Sequence, residues 1–385
     1  MRASVHRFTM RDPSDVSQLA AAIDSGAIDP ATIVAFIGKT EGNGLVNDFT
    51  RGYLVQSLSL LLAQRTGRDT AHFLNRVAFV FSGGTEGVLT PHYTVFCVEP
   101  GTGERRPRSG PAAQASPSSR ASGKRLAIGR ALTRSPLPEE IGTHIQADLV
   151  AQAVGRAMAE AGLTEPNDVH FVQVKGGCIT TESARDALSR GVRLASADPG
   201  RSMTLSRVAG AFGVMKALGE LSDPVIDEQM FLTRPDVFST RAGVSTGIEV
   251  SMNEVVVFGN ANGWDSDFVI AHHTMDDALD IGGVYQCLEQ LGIDTRGNNR
   301  SQALARIACA LVKCEPDSRH LIRGQRHTMW QDGDLNAQRH IRGAVGGLIA
   351  GVLGDTRIFV SGGAEHQGPP GGGLVALIAR VSGPA

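Results

Sequence analysis

The sequence predicts an α+β fold in which three structurally equivalent α/β repeat units surround a pseudo-threefold axis, with one site at the centre. Three observations predict it. The pattern S-x-G-x-E occurs three times, beginning at Ser82, Ser245 and Ser361. Upstream of each copy an apolar run ends in lysine, at Lys39, Lys175 and Lys313, and the three lysines stand at nearly equal intervals. Between lysine and serine an arginine opens a helix-like stretch each time, at Arg51, Arg207 and Arg342. Any one of these features alone is ordinary surface charge or an ordinary turn. Three sets in one order mark a repeat.

The first unit is read as residues 1–105. Asp15 to Ser25 carries apolar residues three or four apart, and Gly26 follows where a helix would end. Ile33-Val-Ala-Phe-Ile-Gly-Lys39 is a short apolar run of buried-strand length. A second helix follows Arg51, Ser82-Gly-Gly84 is a tight turn, and Thr94 to Val98 is β-rich. The second unit, 124–252, repeats the series with a helix at Ala147 to Ala161, a strand at His170-Phe-Val-Gln-Val-Lys175, and a helix from Arg207. Its serine block is Ser245-Thr-Gly247-Ile-Glu249, and the β-rich run Val255 to Phe258 comes just after the boundary. The third unit, 253–385, has a helix at Gly282 to Leu291, a strand at Ala308-Cys-Ala-Leu-Val-Lys313, and a helix from Arg342, with Arg339 as competitor. Ser361-Gly-Gly363-Ala-Glu365 and a β-rich run from Leu374 to Val381 complete it. Leu218-Gly219 and Leu353-Gly354 fall at the same offset from their arginines, so two units align there without a gap. Each unit thus reads strand, helix, strand, helix, strand. Equivalent sheet edges meeting around an axis is the natural arrangement, and a solenoid of long units is the alternative. Residues 106–123, within a Pro-, Ser-, Gly- and Arg-rich run, read as an exposed linker.

Composition narrows the partners. The formal charge of −2 and the lack of a basic stripe argue against nucleic acid. No apolar segment is long enough to cross a bilayer, so no membrane partner is expected. The five cysteines are odd in number and form no C-x-x-C pair, which fits reduced thiols in the cytoplasm.

The chemistry follows from the residue types. Serine is a weak nucleophile and needs a base within hydrogen-bond reach. Lysine serves as that base when burial and nearby positive charge lower its pKa, whereas arginine stays charged. Three lysines and three arginines on one axis would give neutral bases beside fixed cations, suited to an anionic, carbonyl-rich ligand. The glycines after Ser82 and Ser361 let backbone N–H groups approach a ligand oxygen. Residue types alone do not say which serine attacks. The middle unit is the odd one, since Thr246 follows Ser245 and the lysine-to-serine interval is longest there. The histidines lack H-x-H or H-E-x-x-H spacing, and of them His366 is expected nearest the site. Gly42-Asn-Gly44 lacks the spacing of a nucleotide-binding loop.

On Gly38-Lys-Thr-Glu-Gly-Asn-Gly44, Val46-Asn-Asp-Phe-Thr-Arg51, Ser82-Gly-Gly-Thr-Glu-Gly-Val88, Phe171-Val-Gln-Val-Lys175, Arg323-Gly-Gln-Arg-His-Thr-Met329 and Ser361-Gly-Gly-Ala-Glu-His-Gln-Gly-Pro-Pro-Gly-Gly-Gly373, the chain resembles the cyanuric acid hydrolase/barbiturase family. The resemblance implies Lys175 as general base and Ser245 as nucleophile. It implies that Lys39 with Ser82 and Lys313 with Ser361 bind the other ring carbonyls, beside Gly83, Thr246 and Gly362. Arg51, Arg207 and Arg342 would clamp the ring edge. The implied reaction opens cyanuric acid to carboxybiuret, or barbituric acid to ureidomalonate, in a homotetramer without an organic cofactor. A non-catalytic binder of a planar cyclic imide is the alternative. The resemblance also implies a structural magnesium or calcium ion, held by Glu315 with oxygens of Ala364, Gln367, Gly368, Pro369 and Gly372. Gly176-Gly-Cys178 and Thr246 depart from the family pattern, which touches substrate choice more than reaction type.

Overall fold

The computed structural model describes residues 1–101, 123–223, 225–328 and 336–381. The first unit holds β1 (Arg2–Thr9), α1 (Ser17–Asp24), β2 (Ile33–Thr40), α2 (Phe49–Thr66), α3 (Thr70–Leu74), β3 (Ala78–Gly83) and β4 (His92–Glu99). The second holds β5 (Arg125–Leu132), α4 (His144–Ala161), β6 (Val169–Gly176), α5 (Thr181–Ser189), α6 (Pro199–Leu218), β7 (Ala242–Thr246) and β8 (Glu254–Ala261). The third holds β9 (Phe268–Met275), α7 (Ile281–Gln290), α8 (Arg300–Leu304), β10 (Ile307–Cys314), β11 (Leu321–Ile322), β12 (Gln325–Arg326), α9 (Ala337–Leu353), β13 (Phe359–Ser361) and β14 (Gly373–Arg380).

Each unit makes one four-stranded sheet, in the orders β1-β4-β2-β3, β5-β8-β6-β7 and β9-β14-β10-β13. The lysine strand and the serine strand are parallel, because the arginine helix carries the chain back between them. The last strand then inserts antiparallel between the first strand and the lysine strand. Each serine strand is therefore a sheet edge. This corrects the expected three-strand unit: the serine turn is itself the end of a fourth strand.

Two other expectations are corrected. The arginines do not open their helices. Asp48, Asp198 and Asn336 cap α2, α6 and α9 by accepting backbone N–H groups, which starts the helices two, eight and five residues earlier, while Gly67, Gly219 and Gly354 end them in the left-handed conformation. The boundary at 252/253 is also misplaced, since β8 pairs with both β5 and β6 and the second unit extends to Ala261. The expected linker, 106–123, lies outside the described residues except for Gly123.

Period-two alternation sorts the strands into two faces. Ala35 and Ile37 of β2, Phe171 of β6, and Cys309 and Leu311 of β10 share one central core. Phe36 faces the other way, packing with Leu54 and Leu58 of α2 in an outer cluster. Helices thus lie outside and the three sheets meet inside. The inward rows end in Lys39, Lys175 and Lys313, so the strand period itself delivers the amines to the centre. Lys39 Nζ donates to Val360 O at 3.2 Å and Arg7 pairs with Asp355 at 2.6 Å. These contacts join the first unit to the third, and the ring is closed rather than a solenoid.

Candidate active site

Register pairs Lys39 with Ser82, Lys175 with Ser245 and Lys313 with Ser361. Each lysine also crosses into a neighbouring unit. Lys39 Nζ donates to Val360 O at 3.2 Å, Lys175 Nζ to Phe81 O at 3.2 Å, and Lys313 Nζ to Val244 O at 2.8 Å. The accepting residue in each case immediately precedes that unit's serine. The lysines thereby satisfy carbonyls on the edge strands of the three sheets, one after another around the axis. At the centre Ser245 Oγ lies 3.2 Å from Ser361 Oγ. One small cavity is walled by Arg51, Ser82, Gly83, Lys175, Arg207, Ser245, Thr246, Arg342, Ser361 and Gly362, together with Gly44, Phe81 and Met203. Ten of the twelve residues expected to act on substrate therefore meet there. Lys39 and Lys313 stand just behind the wall. A larger cleft of about 430 Å3 lies around Pro316, Leu321 and Ile341, but none of these serines, lysines or arginines lines it.

Sequence reasoning overlooked the glutamate that closes each S-x-G-x-E block. Glu86 pairs with Lys39 at 2.8 Å and with Arg342 at 2.6 Å. Glu249 pairs with Lys175 at 2.6 Å and with Arg51 at 3.0 Å. Glu365 pairs with Arg207 at 2.6 Å. Each carboxylate thus receives an arginine from another unit. The signal was present in the spacing: in the first two blocks the glycine two residues before the glutamate leaves room for that side chain to fold back, and in the third Gly363 leaves room for Arg207. A Cβ on Gly84 would lie 2.1 Å from Glu86, and one on Gly247 2.0 Å from Glu249.

These carboxylates change the expected electrostatics. The arginine charges are matched rather than free, so burial is the main force on the lysines. Burial brings Lys39 down to about 8, with Glu86 opposing and Arg342 assisting. It brings Lys313 down to about 7, with Arg207 assisting and Glu365 opposing. Lys175, fully buried, is lowered by burial in the same way, with Glu249 opposing and Arg51 assisting. Burial pushes Glu249 up, but Lys175 and Arg51 outweigh it and hold the carboxylate ionised. Burial thus brings all three amines below the usual lysine range.

Backbone donors are fewer than the glycine blocks suggest. Gly84 N–H already donates to Thr40 O at 3.0 Å, and Gly363 N–H to Gln338 Oε1 at 2.8 Å. The residues directly after each serine, Gly83, Thr246 and Gly362, are the ones lining the cavity. Asp48 fixes the first of these walls. Its Oδ2 accepts from Gly44 N at 2.7 Å, and the carboxylate occupies the space that a Cβ on Gly83 would need. That accounts for the glycine-rich block before Arg51. Arg342 rather than Arg339 lines the cavity; Arg339 donates to Asn43 O at 2.8 Å. His366 does not reach it. Its Nδ1 bonds Val237 O at 2.6 Å and its Nε2 accepts from Leu232 N at 3.0 Å, so it holds a loop.

The residues expected around a cation come together. Ala364 N donates to Glu315 Oε2 at 2.6 Å, and Glu315 N donates to Gly372 O at 3.1 Å. Gln367 N donates to Ala364 O, and Gly372 N to Pro369 O. Gly368 holds the loop at a φ of 131°, where a Cβ would strike Gly373. Gln367 Oε1 already accepts from Val244 N at 2.6 Å, which leaves its main-chain oxygen as the available donor. Burial, with Glu365 adding to it, raises Glu315 to about 7. Both carboxylate oxygens also accept from nitrogen, Oε2 from Ala364 N and Oε1 from Gln338 Nε2 at 2.9 Å, and the main-chain oxygens nearby are hard ligands of the kind a divalent cation takes. No cluster of three His, Cys, Asp or Glu side chains suited to a metal occurs among the described residues.

All five cysteines are buried and free, and no helix among the described residues is long and apolar enough to cross a membrane. Residues 4–380 match the family described as amidohydrolase ring-opening protein. The cyanuric acid amidohydrolase of Ectopseudomonas oleovorans is 46% identical, over 99% of this chain and 100% of the relative. A cyclic amide hydrolase of Azorhizobium caulinodans is 45% identical, over 99% of this chain and 100% of the relative. A solved cyanuric acid hydrolase structure superposes with a TM-score of 0.90 at 41% identity, covering 98% of this chain and 99% of that one. Threefold geometry, paired lysines and serines, and full-length likeness agree: the chain belongs to the ring-opening amidohydrolases, hydrolases of C–N bonds in cyclic amides.

Proposed function

We propose that this enzyme opens cyanuric acid to carboxybiuret. One observation carries the choice of ring: the cavity is bounded by three serines and three arginines in cyclic order, which suits a planar ring with three equivalent carbonyls. Barbituric acid, opened to ureidomalonate, replaces one ring nitrogen by carbon and would leave one wall without its partner. Measuring kcat/KM for both rings tests the assignment. Cyanuric acid turnover exceeding barbituric acid turnover tenfold or more is expected, and the reverse order would transfer the assignment to barbituric acid. Saturable binding without turnover of either would make the protein a binder.

In the proposed mechanism neutral Lys175 takes the proton of Ser245, whose Oγ attacks one ring carbonyl. The N–H of Thr246 faces the developing oxyanion. Such donors contribute about 3–4 kcal/mol when well aimed. The C–N bond breaks as Lys175 returns the proton to nitrogen, and water then hydrolyses the acyl-serine to the open-chain carboxylate. Ser82 and Ser361, backed by Lys39 and Lys313, hold the remaining carbonyls. The arginines Arg51, Arg207 and Arg342 hold the ring edge, each kept in place by its glutamate. A second reading has one specific support. Among the described residues the direct lysine–serine hydrogen bond is Lys313 Nζ to Ser361 Oγ, at 3.2 Å. That reading makes the third unit the reacting one.

The oxygens of Glu315, Ala364, Gln367, Gly368, Pro369 and Gly372 would hold a structural magnesium or calcium ion, with no part in the chemistry. In an assembled homotetramer the exposed α2 stripe of Phe49, Tyr53 and Leu60 offers a surface to cover. One loaded sample checks both. Its unfolding free energy should rise with added cation, by about 2.7 kcal/mol at a hundredfold excess over the dissociation constant, and not in Glu315→Gln. Its sedimentation should give the mass of four chains.

A further inference from the structure

Helix α6 begins further ahead of its arginine than α2 or α9 does, and the added turns carry two buried serines. Ser202 and Ser206 lie one helical turn apart on the same face, at 2% and 0% exposure. Both bond the main chain that follows Lys175. Ser202 Oγ accepts from Ile179 N at 3.0 Å, and Ser206 Oγ donates to Gly177 O at 2.7 Å. The adjoining row of the same helix, Met203 and Arg207, lines the cavity. Met203 O accepts from Thr246 Oγ1 at 3.0 Å, and a Cβ on Gly210 would lie 2.7 Å from Val244. One helix therefore grips the chain just after Lys175 and rests against the residues on both sides of Ser245. Counted from Arg51 and Arg342, the places of Ser202 and Ser206 hold Val46 and Thr50 in the first unit, Ala337 and Ile341 in the third. Thr50 Oγ1 turns to Thr40 Oγ1 and Asp48 instead, and Ile341 packs in an apolar cluster.

We infer that Ser206, assisted by Ser202, is a positioning residue for the reacting pair, holding the end of β6 in register with the end of β7. The inference rests on Lys175 being the base and Ser245 the nucleophile. Ser206 touches neither substrate nor reacting atoms and acts through residues 176–179. Gly176 O accepts from Gly247 N at 3.1 Å, which joins the chain after Lys175 to the chain after Ser245. Fixing Gly177 therefore fixes the strand that carries the amine against the strand that carries the hydroxyl.

The hydrogen bonds behind Ser206 run in one direction only. Gly142 N donates to Gln146 Oε1 at 2.7 Å, so the amide nitrogen of Gln146 faces the other way. Gln146 Nε2 directs its two hydrogens to Ser206 Oγ and Asn253 Oδ1, both at 2.9 Å. The Ser206 hydroxyl, an acceptor there, keeps its single hydrogen for Gly177 O. A Cβ on Gly176 would lie 3.0 Å from both Ser206 Oγ and Asn253 Oδ1, so glycine at this place lets the segment settle on the network. Gln146, Ser206 and Asn253 are all buried, and a group left unpaired among them has no water to turn to. Without the hydroxyl Gly177 O loses its donor and the segment is free to shift. A displacement of about 1 Å at a reacting group costs up to about a hundredfold in rate.

The test is single-turnover ring opening of cyanuric acid by the full-length enzyme in excess, followed as loss of the intact ring, in wild type and Ser206→Ala. Misfolded molecules raise the enzyme concentration needed for saturation but leave the limiting rate constant alone. That rate constant should fall about ten- to a hundredfold in Ser206→Ala. A fall of less than about threefold, with Lys175→Ala inactive, overturns the inference and leaves the base assignment standing, whatever happens to the half-saturating concentration. Ser206 would then serve folding or the placement of Arg207. An active Lys175→Ala overturns the base assignment and the inference with it. Should Ser206→Ala fail to fold, Ser202→Ala, which removes only the acceptor for Ile179 N, is read by the same criterion.

Discussion

Ser245→Ala is expected to lower kcat for cyanuric acid about 10^4-fold or more, and Ser361→Ala only about ten- to a hundredfold. The first change removes the nucleophile, and members of such a set fail together rather than by degrees. The second removes one hydrogen bond to a ring carbonyl, worth about 1–3 kcal/mol. Burst kinetics and a trapped acyl-serine adduct, located by mass spectrometry, check the assignment independently of rate. The contrast matters because the two hydroxyls are only 3.2 Å apart and, among the described residues, the lysine that donates to a serine is Lys313. An adduct on Ser361, or a deeper loss in Ser361→Ala, would make the third unit the reacting one.

The second large effect concerns stability. Glu86→Ala is expected to cost about 3–5 kcal/mol, because it leaves two buried cations without a counter-charge. Glu86 is 6% exposed and lies 2.8 Å from Lys39 and 2.6 Å from Arg342. Lys39 can escape by losing its proton, but Arg342 cannot. Urea unfolding reads the loss directly. In a double-mutant cycle Glu86→Ala with Arg342→Met should recover much of it, because the stranded guanidinium is gone. Purely additive effects of the two changes would show that the pair contributes nothing across the interface between the first and third units.

How much was legible follows from what repeats. Lys39, Lys175 and Lys313 were legible because strand alternation fixes the facing of every second residue, and a lysine ending an inward apolar row has one place to go. The serines were legible through the same triplication. Glu86, Glu249 and Glu365 were in plain view in the S-x-G-x-E pattern, yet their role depends on arginines more than 100 residues away, and no local rule couples the two. The missed boundary at 252/253 has a similar cause. Which sheet adopts Glu254–Ala261 is decided by pairing with β5 and β6, not by the composition around it. The helix starts were misplaced because the caps lie in stretches of differing length before each arginine, while the shared Gly219 and Gly354 ends kept one register visible.

The handover of each amine to the next unit's strand edge ties reactivity to completion of the chain's folding. A lysine in an unclosed ring keeps its water and its charge, and so has no capacity to deprotonate anything. Only when the third wall arrives are the amines stripped of solvent. On the proposed mechanism, closing the ring is the step that readies Lys175 to take a proton.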